Sequence, residues 1–258
     1  MPAPRDEPRI ARIAAQIAEP ARARMLTYLM GGDHASAGEL AAAASVSPST
    51  ASGHLARLCD DGLLVAETRG RHRYYRLADA DVVRVLEALA LVAERGRHER
   101  GWASPARRRL RCARTCYGHL AGQLGVALFS AMREHRWLTS DTDGFVLTAA
   151  GEDWLAGIGI DPASLGGRSG RGGRPCLDWS ERRDHLAGPL ATRLLAHFVE
   201  RGWLRRRTGE RALEITPPGR QSFGRWLSEV PADPPPGAPP DAPPDVPPGA
   251  AAARRAAA

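Results

Sequence analysis

The chain has 258 residues and a formal charge of +7, and all 36 of its basic residues are arginine. Because lysine is absent, a lysine-containing phosphate-binding loop, Schiff-base catalysis and a Ser-x-x-Lys nucleophile are excluded. The first ten residues lack the apolar segment of a signal peptide, the longest uncharged apolar stretch is too short to span a bilayer, and four cysteines do not make a disulfide framework. We therefore expect a soluble, cytoplasmic protein with no membrane partner.

The first elements are helical. Apolar side chains at helical spacing over residues 8–30 predict two helices, separated at Glu19-Pro20 because proline suits a first helical turn. Ser36 and Glu39 have the spacing of a capping box, in which a hydroxyl and a carboxylate satisfy first-turn amides. This box predicts a short helix over residues 37–44.

The next helix has two chemically different faces. Ser47-Pro48 supplies an N-cap followed by a first-turn proline, and the helix is expected to run to about Asp61 and to end at Gly62. Its apolar stripe consists of Ala51, Leu55 and Leu58. The opposite face offers small or hydrogen-bonding side chains, namely Ser49, Thr50, Ser52, Gly53 and Arg57. A helix with this division can pack on one side and enter a major groove on the other.

A basic hairpin and a final helix follow. Residues 63–68 and 72–77 alternate in polarity around Arg69-Gly70-Arg71, which predicts two strands joined by a tight turn. Asp79 is positioned to cap a helix that runs to about Arg95. The expected apolar stripe of that helix is Val82, Leu86, Leu89 and Ala93.

Helix, short turn, helix and basic hairpin is the order of a winged helix-turn-helix domain, which binds double-stranded DNA through its second helix and its hairpin. An ordinary small helical domain with a solvated basic loop is the alternative. The residues expected to contact DNA are Ser47, Ser49, Thr50, Ser52, His54, Arg57, Arg69, Arg71, His72 and Arg73.

Four short motifs identify a family. Glu39-Leu40-Ala41, the segment 47–55, Gly62-Leu63 and Tyr75-Arg76-Leu77 together resemble the ArsR/SmtB family of bacterial repressors. The resemblance covers about residues 8–100. It implies a homodimer, formed through the first and last helices of this half, that binds a near-palindromic operator.

In three places the sequence departs from that family. The arginine that often precedes the histidine is Gly53 here, so more of the specificity falls on Ser49, Ser52, His54 and the hairpin. The family's cysteine-rich metal motif would fall in residues 40–46, which contain no thiol. The family's last-helix zinc site needs Asp-x-His, but Asp81 is followed by two valines.

Other residues have the chemistry of a metal site. Cys112, Cys116 and His119 are spaced i, i+4, i+7, so we expect them on one face of a helix, beside an arginine cluster that favours thiolates. A second group follows the glycine-rich loop and consists of Cys176, Asp178 and His185. Together they predict a site for a soft metal ion (Cd, Pb or Zn) or a metalloid. Two alternatives remain: the cysteines are small buried hydrophobic residues, or Cys59 in the recognition helix is the sensing thiol.

A repeat organises the C-terminal half. His119-Leu-Ala-Gly recurs as His185-Leu-Ala-Gly, and the pair Trp137-Leu138 recurs as Trp203-Leu204 at the same offset of 66 residues. A later Thr-x-x-Gly element also recurs, at 148–151 and 216–219. Each copy predicts a helix of about twenty residues, a turn, a short strand and a second helix opened by threonine. We expect the copies to stack with their histidines facing one another in a sensor domain; a dimerisation or packing device is the alternative. This half resembles a long-chain branch of the ArsR family.

The sequence thus predicts an α+β protein, mainly α with small β-hairpins. We expect a winged helix-turn-helix DNA-binding and dimerisation domain over 1–100, and a helical domain of two pseudo-repeats over 101–230, with a glycine-rich loop at 166–173. A disordered Pro/Ala tail over 231–258 completes the chain.

The expected function is that of a DNA-binding transcriptional regulator and not of an enzyme. We expect a homodimeric repressor that a metal, metalloid, thiol oxidant or small ligand releases from its operator. The alternatives are a non-specific architectural DNA-binding protein and a thiol-dependent enzyme.

Overall fold

The computed structural model describes residues 9–31, 34–69, 72–94, 104–142, 144–167, 170–207 and 210–232. Arg71, most of the boundary near residue 100 and the Pro/Ala tail beyond residue 232 lie outside this range. The fold is mainly α with small antiparallel sheets, as the sequence predicts. In the described part of the chain, no helix combines the length and the apolar character needed to cross a membrane.

The helices of the N-terminal half begin and end where the capping signals predict. Glu19 accepts from the Arg22 amide at the start of the second helix, and Ser36 and Glu39 form a complete capping box. Ser47 accepts from the Thr50 amide. The elements are α1 (Arg9–Ala18), α2 (Pro20–Leu29), β1 (Ala35–Ser36), α3 (Ala37–Ala44), α4 (Pro48–Asp60), β2 (Leu64–Arg69), β3 (His72–Leu77) and α5 (Ala80–Ala93).

Helix α5 buries only part of the stripe that the sequence predicts. Val83, Leu86 and Glu87 are its buried residues, whereas Leu89 from the predicted stripe is 45% exposed. The inner face is set by strand β3 and by Arg211 of the C-terminal half, which lies 3.5 Å from the Glu87 carboxylate. Because Arg211 is distant in sequence, the periodicity of α5 alone could not reveal this partner.

The C-terminal half contains one helix and then two copies of a strand, helix, hairpin and helix. The lead-in elements are α6 (Pro105–Cys112) and β4 (Arg114–Cys116). The first copy is β5 (His119–Ala121), α7 (Gly122–Glu134), β6 (Leu138–Asp141), β7 (Gly144–Leu147) and α8 (Ala149–Ile158). After a 3-10 turn (Pro162–Leu165) and β8 (Gly172–Leu177), the second copy is β9 (Asp184–Ala187), α9 (Pro189–Glu200), β10 (Leu204–Arg206), β11 (Leu213–Ile215) and α10 (Pro217–Phe223).

The His-Leu-Ala segments are strands, so the predicted twenty-residue helices are wrong in their first residues. Strand β5 pairs with β4 and strand β9 pairs with β8. A glycine with positive φ follows each strand, Gly122 at +80° and Gly188 at +103°. This backbone conformation suits glycine and turns the chain out of the strand into helices of 13 and 12 residues.

The two copies share one core and one local motif. Helices α7 and α9 contribute to the same hydrophobic cluster, and β6-β7-β8-β9 form a four-stranded sheet. The threonine in each Thr-x-x-Gly element caps its helix, and the glycine passes close to a tryptophan carbonyl of the same copy. A Cβ added at Gly151 would lie 2.2 Å from the carbonyl oxygen of Trp137, and one at Gly219 would lie 2.1 Å from that of Trp203.

We expect Gly151→Ala to lower the free energy of unfolding by about 1–3 kcal/mol, because the new methyl group must displace backbone. Gly157 of the same helix is the matched control, since a Cβ there meets nothing within 4 Å. Gly157→Ala should stabilise the helix by about 0.5–1 kcal/mol. Urea denaturation followed by tryptophan fluorescence measures both. Equal effects of the two substitutions would contradict the proposed close approach.

Candidate functional site

Helix α4 presents the polar face that the sequence predicts. Ala51, Leu55 and Leu58 are fully buried against the N-terminal core. The candidate DNA-contacting residues Ser47, Ser49, Thr50, Ser52 and Arg57 are exposed. The Ser47 hydroxyl lies 2.9 Å from the hydroxyls of both Ser49 and Thr50, so this cap is formed by residues at the start of α4 itself.

His54 is oriented differently from its neighbours. Its side chain is only 15% exposed and lies against the beginning of α2, with Nδ1 3.4 Å from Arg22 and 3.7 Å from the Glu19 carboxylate. The structure therefore places this imidazole between α4 and α2 and not on the outward face with the serines.

The hairpin β2–β3 carries exposed basic side chains at its end. Arg69, His72 and Arg73 are exposed, while Arg71 lies outside the described residues. Glu67 partly neutralises this group, because its carboxylate accepts hydrogen bonds from Arg76 and Arg69. These bonds lower the pKa of Glu67 to about 2. Arg69 must exchange this partner to reach a phosphate, whereas Arg73 only covers the ring of Tyr75 at 5.5 Å.

Two cysteines and two histidines of the C-terminal half converge. Cys116 and His119 are paired across the hairpin β4–β5, and Cys176 and His185 are paired across β8–β9. The four potential ligand atoms all lie within 4.8 Å of one another. We call this group the thiol–imidazole cluster. The expectation that the two histidines face one another is confirmed, because their Nε2 atoms are 3.1 Å apart.

The predicted helical face of Cys112, Cys116 and His119 is wrong. Helix α6 ends at Cys112, and the next residues form β4, a two-residue turn and β5. Tyr117 and Gly118 in that turn both have positive φ, 41° and 86°, the backbone of a tight hairpin. The hairpin brings Cys116 and His119 together and leaves Cys112 in the hydrophobic core.

Asp178 lies beside the cluster and not among its four donors. Its Oδ2 is 3.8 Å from Nδ1 of His185 and 2.9 Å from the guanidinium of Arg114. Burial opposes ionisation of this carboxyl, but Arg114, Ser180 and the Gly122 amide outweigh it and hold the pKa of Asp178 well below its usual range. The carboxylate therefore stays ionised close to the His185 ring, although 3.8 Å is too long for a hydrogen bond to its Nδ1.

The two thiols of the cluster are not equivalent. The Cys116 thiol donates to the sulfur of Cys176, which raises the pKa of Cys116 and lowers that of Cys176. Hydrogen bonds from His119 and His185 lower the pKa of Cys176 further, and burial lowers the pKa of His119. In contrast, burial raises the pKa of Cys59 in α4, as expected for a packed and unreactive thiol. None of the four cysteines forms a disulfide.

A cavity of about 860 Å³ connects the cluster with helix α5. Cys116, His119 and Cys176 lie in its wall, and Val83 and Glu87 face it from α5. The Glu87 carboxylate is buried and accepts no hydrogen bond in the described part of the chain, although Arg211 lies 3.5 Å away. Solvent ions thus have a route to the thiols.

Known proteins are similar to both halves of this chain. A helix-turn-helix domain family matches residues 17–66. The HTH-type transcriptional regulator YdfF of Bacillus subtilis strain 168 is 38% identical over 221 residues, which cover 86% of this chain and 98% of YdfF. The HTH-type transcriptional regulator CmtR of Mycobacterium tuberculosis is 38% identical over 86 residues, which cover 33% of this chain and 72% of CmtR.

Solved structures match about a third of the chain. The homodimeric winged helix-turn-helix domain of Mb0332 from Mycobacterium bovis is 28% identical and covers 38% of this chain and 96% of its own, with a TM-score of 0.34. The cadmium metal-sensor CmtR of Mycobacterium tuberculosis is 38% identical and covers 32% of this chain and 85% of its own, with a TM-score of 0.29.

Proposed function

Because this chain belongs to the family of HTH-type transcriptional regulators that includes YdfF, we propose that it is a homodimeric, operator-binding repressor whose signal is a soft divalent metal ion. The thiol–imidazole cluster is the proposed receptor for that ion. A DNA-binding transcriptional regulator follows from the family alone, and relatives of this kind are not enzymes. The proposal adds that the regulator represses transcription, responds to a metal ion and acts as a homodimer.

The exposed face of α4 and the hairpin β2–β3 support operator binding. Hydroxyl groups and one arginine of α4 are free to face base edges, and the arginines of the hairpin suit phosphates or the minor groove. Because Glu67 holds Arg69, the exposed Arg73 is the stronger phosphate-contact candidate.

Exposed apolar side chains on α1 and α5 support the dimer. Ile10 of α1 is 78% exposed, and Val85, Leu89 and Val92 of α5 are each about half exposed. A second copy of the chain covering these two helices would bury them and place two α4 helices on the two halves of a near-palindromic operator.

The arrangement of the thiol–imidazole cluster carries the metal proposal. A tetrahedral zinc site with two cysteines and two histidines holds nitrogen at about 2.0–2.1 Å and sulfur at about 2.3 Å, so its donors lie about 3.3–3.8 Å apart. The 3.1 Å between the histidine Nε2 atoms and the 4.8 Å limit on all four donors are close to this geometry. Thiolate and imidazole together favour Zn²⁺ or Cd²⁺ over hard cations. CmtR, which matches about a third of this chain, is a cadmium metal-sensor.

Operator binding with and without metal tests this function. Anaerobically purified protein is titrated onto the DNA upstream of its own gene, then exposed to Zn²⁺, Cd²⁺ or Pb²⁺, and binding is followed by footprinting and fluorescence anisotropy. We expect a preferred site bound at least about 10³-fold more tightly than random DNA, and a metal-dependent loss of about 5- to 150-fold. Binding without a preferred site and with a steep salt dependence would instead indicate an architectural protein. Release by peroxide but not by metal would identify a thiol-oxidation sensor.

A further inference from the structure

The hairpin that carries half of the cluster also touches the DNA-binding half. Cys116 and His119 lie on either side of the two-residue turn Tyr117-Gly118. At its tip, the Tyr117 amide donates a 2.7 Å hydrogen bond to the carbonyl of Met30, the residue that caps the end of α2. The Tyr117 side chain is partly buried and packs against the N-terminal core. Two cluster donors are therefore each within two residues of a contact with the other half.

The elements under this contact position the recognition helix. Helix α2 packs against α3 and α4, and Met30 itself is buried in the N-terminal core. The Tyr117 side chain packs against the same core, which also contains Tyr75 and Leu77 from strand β3 of the hairpin. Tyr117 thus lies at the end of the helix that supports α4 and packs against the core that α4 shares with the hairpin β2–β3.

The second ligand hairpin has no comparable position at its tip. Arg182, in the turn between β8 and β9, also has a positive φ, 53°, but its side chain is exposed. The contacts of that connection, such as Glu181 with Arg111 and Arg183 with Ser130, stay within the C-terminal half, whereas the β4–β5 turn must move against side chains of the DNA-binding half. Interiors packed in this way respond to small displacements by changing between discrete arrangements.

We propose that Tyr117 is the positioning residue that transmits occupancy of the thiol–imidazole cluster to the operator-binding surface. Drawing Cys116 and His119 onto one ion fixes the separation and tilt of β4 and β5, and the turn between them presses on the end of α2 and on the core under α4 and the hairpin β2–β3. The inference rests on the proposed function, because it assigns a route to the same metal response.

Tyr117→Gly in the full-length chain tests this role. Glycine adopts the positive φ of this position readily, so the turn and its backbone hydrogen bond to Met30 are kept while the side chain is removed. Arg182→Gly is the matched control, because it makes the same kind of backbone replacement in the other ligand hairpin. Cd²⁺ affinity is read from the ultraviolet thiolate-to-cadmium absorption, and operator affinity from fluorescence anisotropy.

For Tyr117→Gly we expect the Cd²⁺ affinity and the metal-free operator affinity to stay within about threefold of the unmodified protein. The Cd²⁺-dependent loss of operator affinity should fall below about threefold, whereas coupled sites typically show a 5- to 150-fold loss. Because coupling is reciprocal, operator DNA should weaken Cd²⁺ binding in the unmodified and Arg182→Gly proteins but not in Tyr117→Gly. Tyr117→Asn, which also tolerates this conformation, is the second variant and should behave in the same way.

Each other outcome is decisive. A full Cd²⁺ response in either Tyr117 variant overturns the inference and leaves the proposed function intact. Loss of Cd²⁺ binding in both variants also overturns it, because Tyr117 would then support the site itself. If the unmodified protein binds Cd²⁺ and its operator but shows no coupling between them, the proposed function fails and the inference fails with it.

Discussion

Replacing Cys176 by serine is expected to lower Cd²⁺ affinity by at least about 100-fold and to abolish metal-dependent release of the operator. Even the outer-shell partners of a metal site are commonly worth 10- to 100-fold in affinity, so a direct ligand should be worth more. Cys176 lies at the centre of the hydrogen bonds within the cluster and has the lowered thiol pKa. Serine keeps the size of the side chain but does not ionise, so it cannot replace a thiolate ligand.

Two further variants make this expectation specific. Cys116→Ser should reproduce the loss, because the two sulfurs belong to one cluster. Cys112→Ala removes a thiol only four residues from Cys116, but one that lies in the hydrophobic core, and it should keep Cd²⁺ affinity within a few-fold. Titration of the thiolate-to-cadmium absorption measures all three. Normal metal-dependent release by both serine variants would exclude the thiols as receptors for the signal.

Replacing Asp178 by asparagine is expected to lower the free energy of unfolding by about 3–5 kcal/mol, which is typical when one partner of a buried ion pair is removed. The side chains of Asp178 and Arg114 are both fully buried, and the charged atoms are 2.9 Å apart. Asparagine keeps an oxygen for the Ser180 amide but leaves the Arg114 guanidinium without its counter-charge. It also places an amide group against the Gly122 N–H, where the carboxylate oxygen now accepts.

The measurement is urea denaturation of the metal-free protein followed by circular dichroism. Asp184→Asn is the matched control, since it removes an exposed carboxylate from the same hairpin and should change stability by less than about 0.5 kcal/mol. Arg114→Met combined with Asp178→Asn should cost less than the sum of the two single changes, because the double variant leaves no buried charge. Strict additivity would show that the pair does not act as a unit.

Most of the N-terminal half follows from local signals in the sequence. Caps at Glu19, Ser36 and Ser47 use side chains within three residues of the amides they satisfy, so the helix boundaries can be predicted from the spacing of these residues. The stripe of α5 could not be predicted in the same way, because its partner Arg211 is more than a hundred residues away.

The thiol–imidazole cluster shows that a local sequence pattern can also predict the wrong element. The spacing of Cys112, Cys116 and His119 fits a helix. The left-handed backbone at Tyr117 and Gly118 forms a hairpin instead, so the helical pattern wrongly includes Cys112 in the site. The repeat is the more informative signal, since it pairs His119 with His185, whose Nε2 atoms lie 3.1 Å apart. Nothing in the sequence pattern pointed to Tyr117, which acquires its position only through contacts between the halves.

The proposed metal site is divided between two hairpins, one before each repeat helix. One cysteine and one histidine come from the hairpin before the first repeat helix, and the other pair comes from the hairpin before the second. Neither half of the site can bind an ion tightly until the two copies have docked. A bound ion would therefore crosslink two hairpins separated by about sixty residues. At a hundredfold excess over its Kd, it would stabilise the docked form by about 2.7 kcal/mol. Local opening, and the proteolysis that follows it, would then be slower in the metal-loaded protein, and the lifetime of the regulator in the cell would track the same ion as its occupancy of DNA.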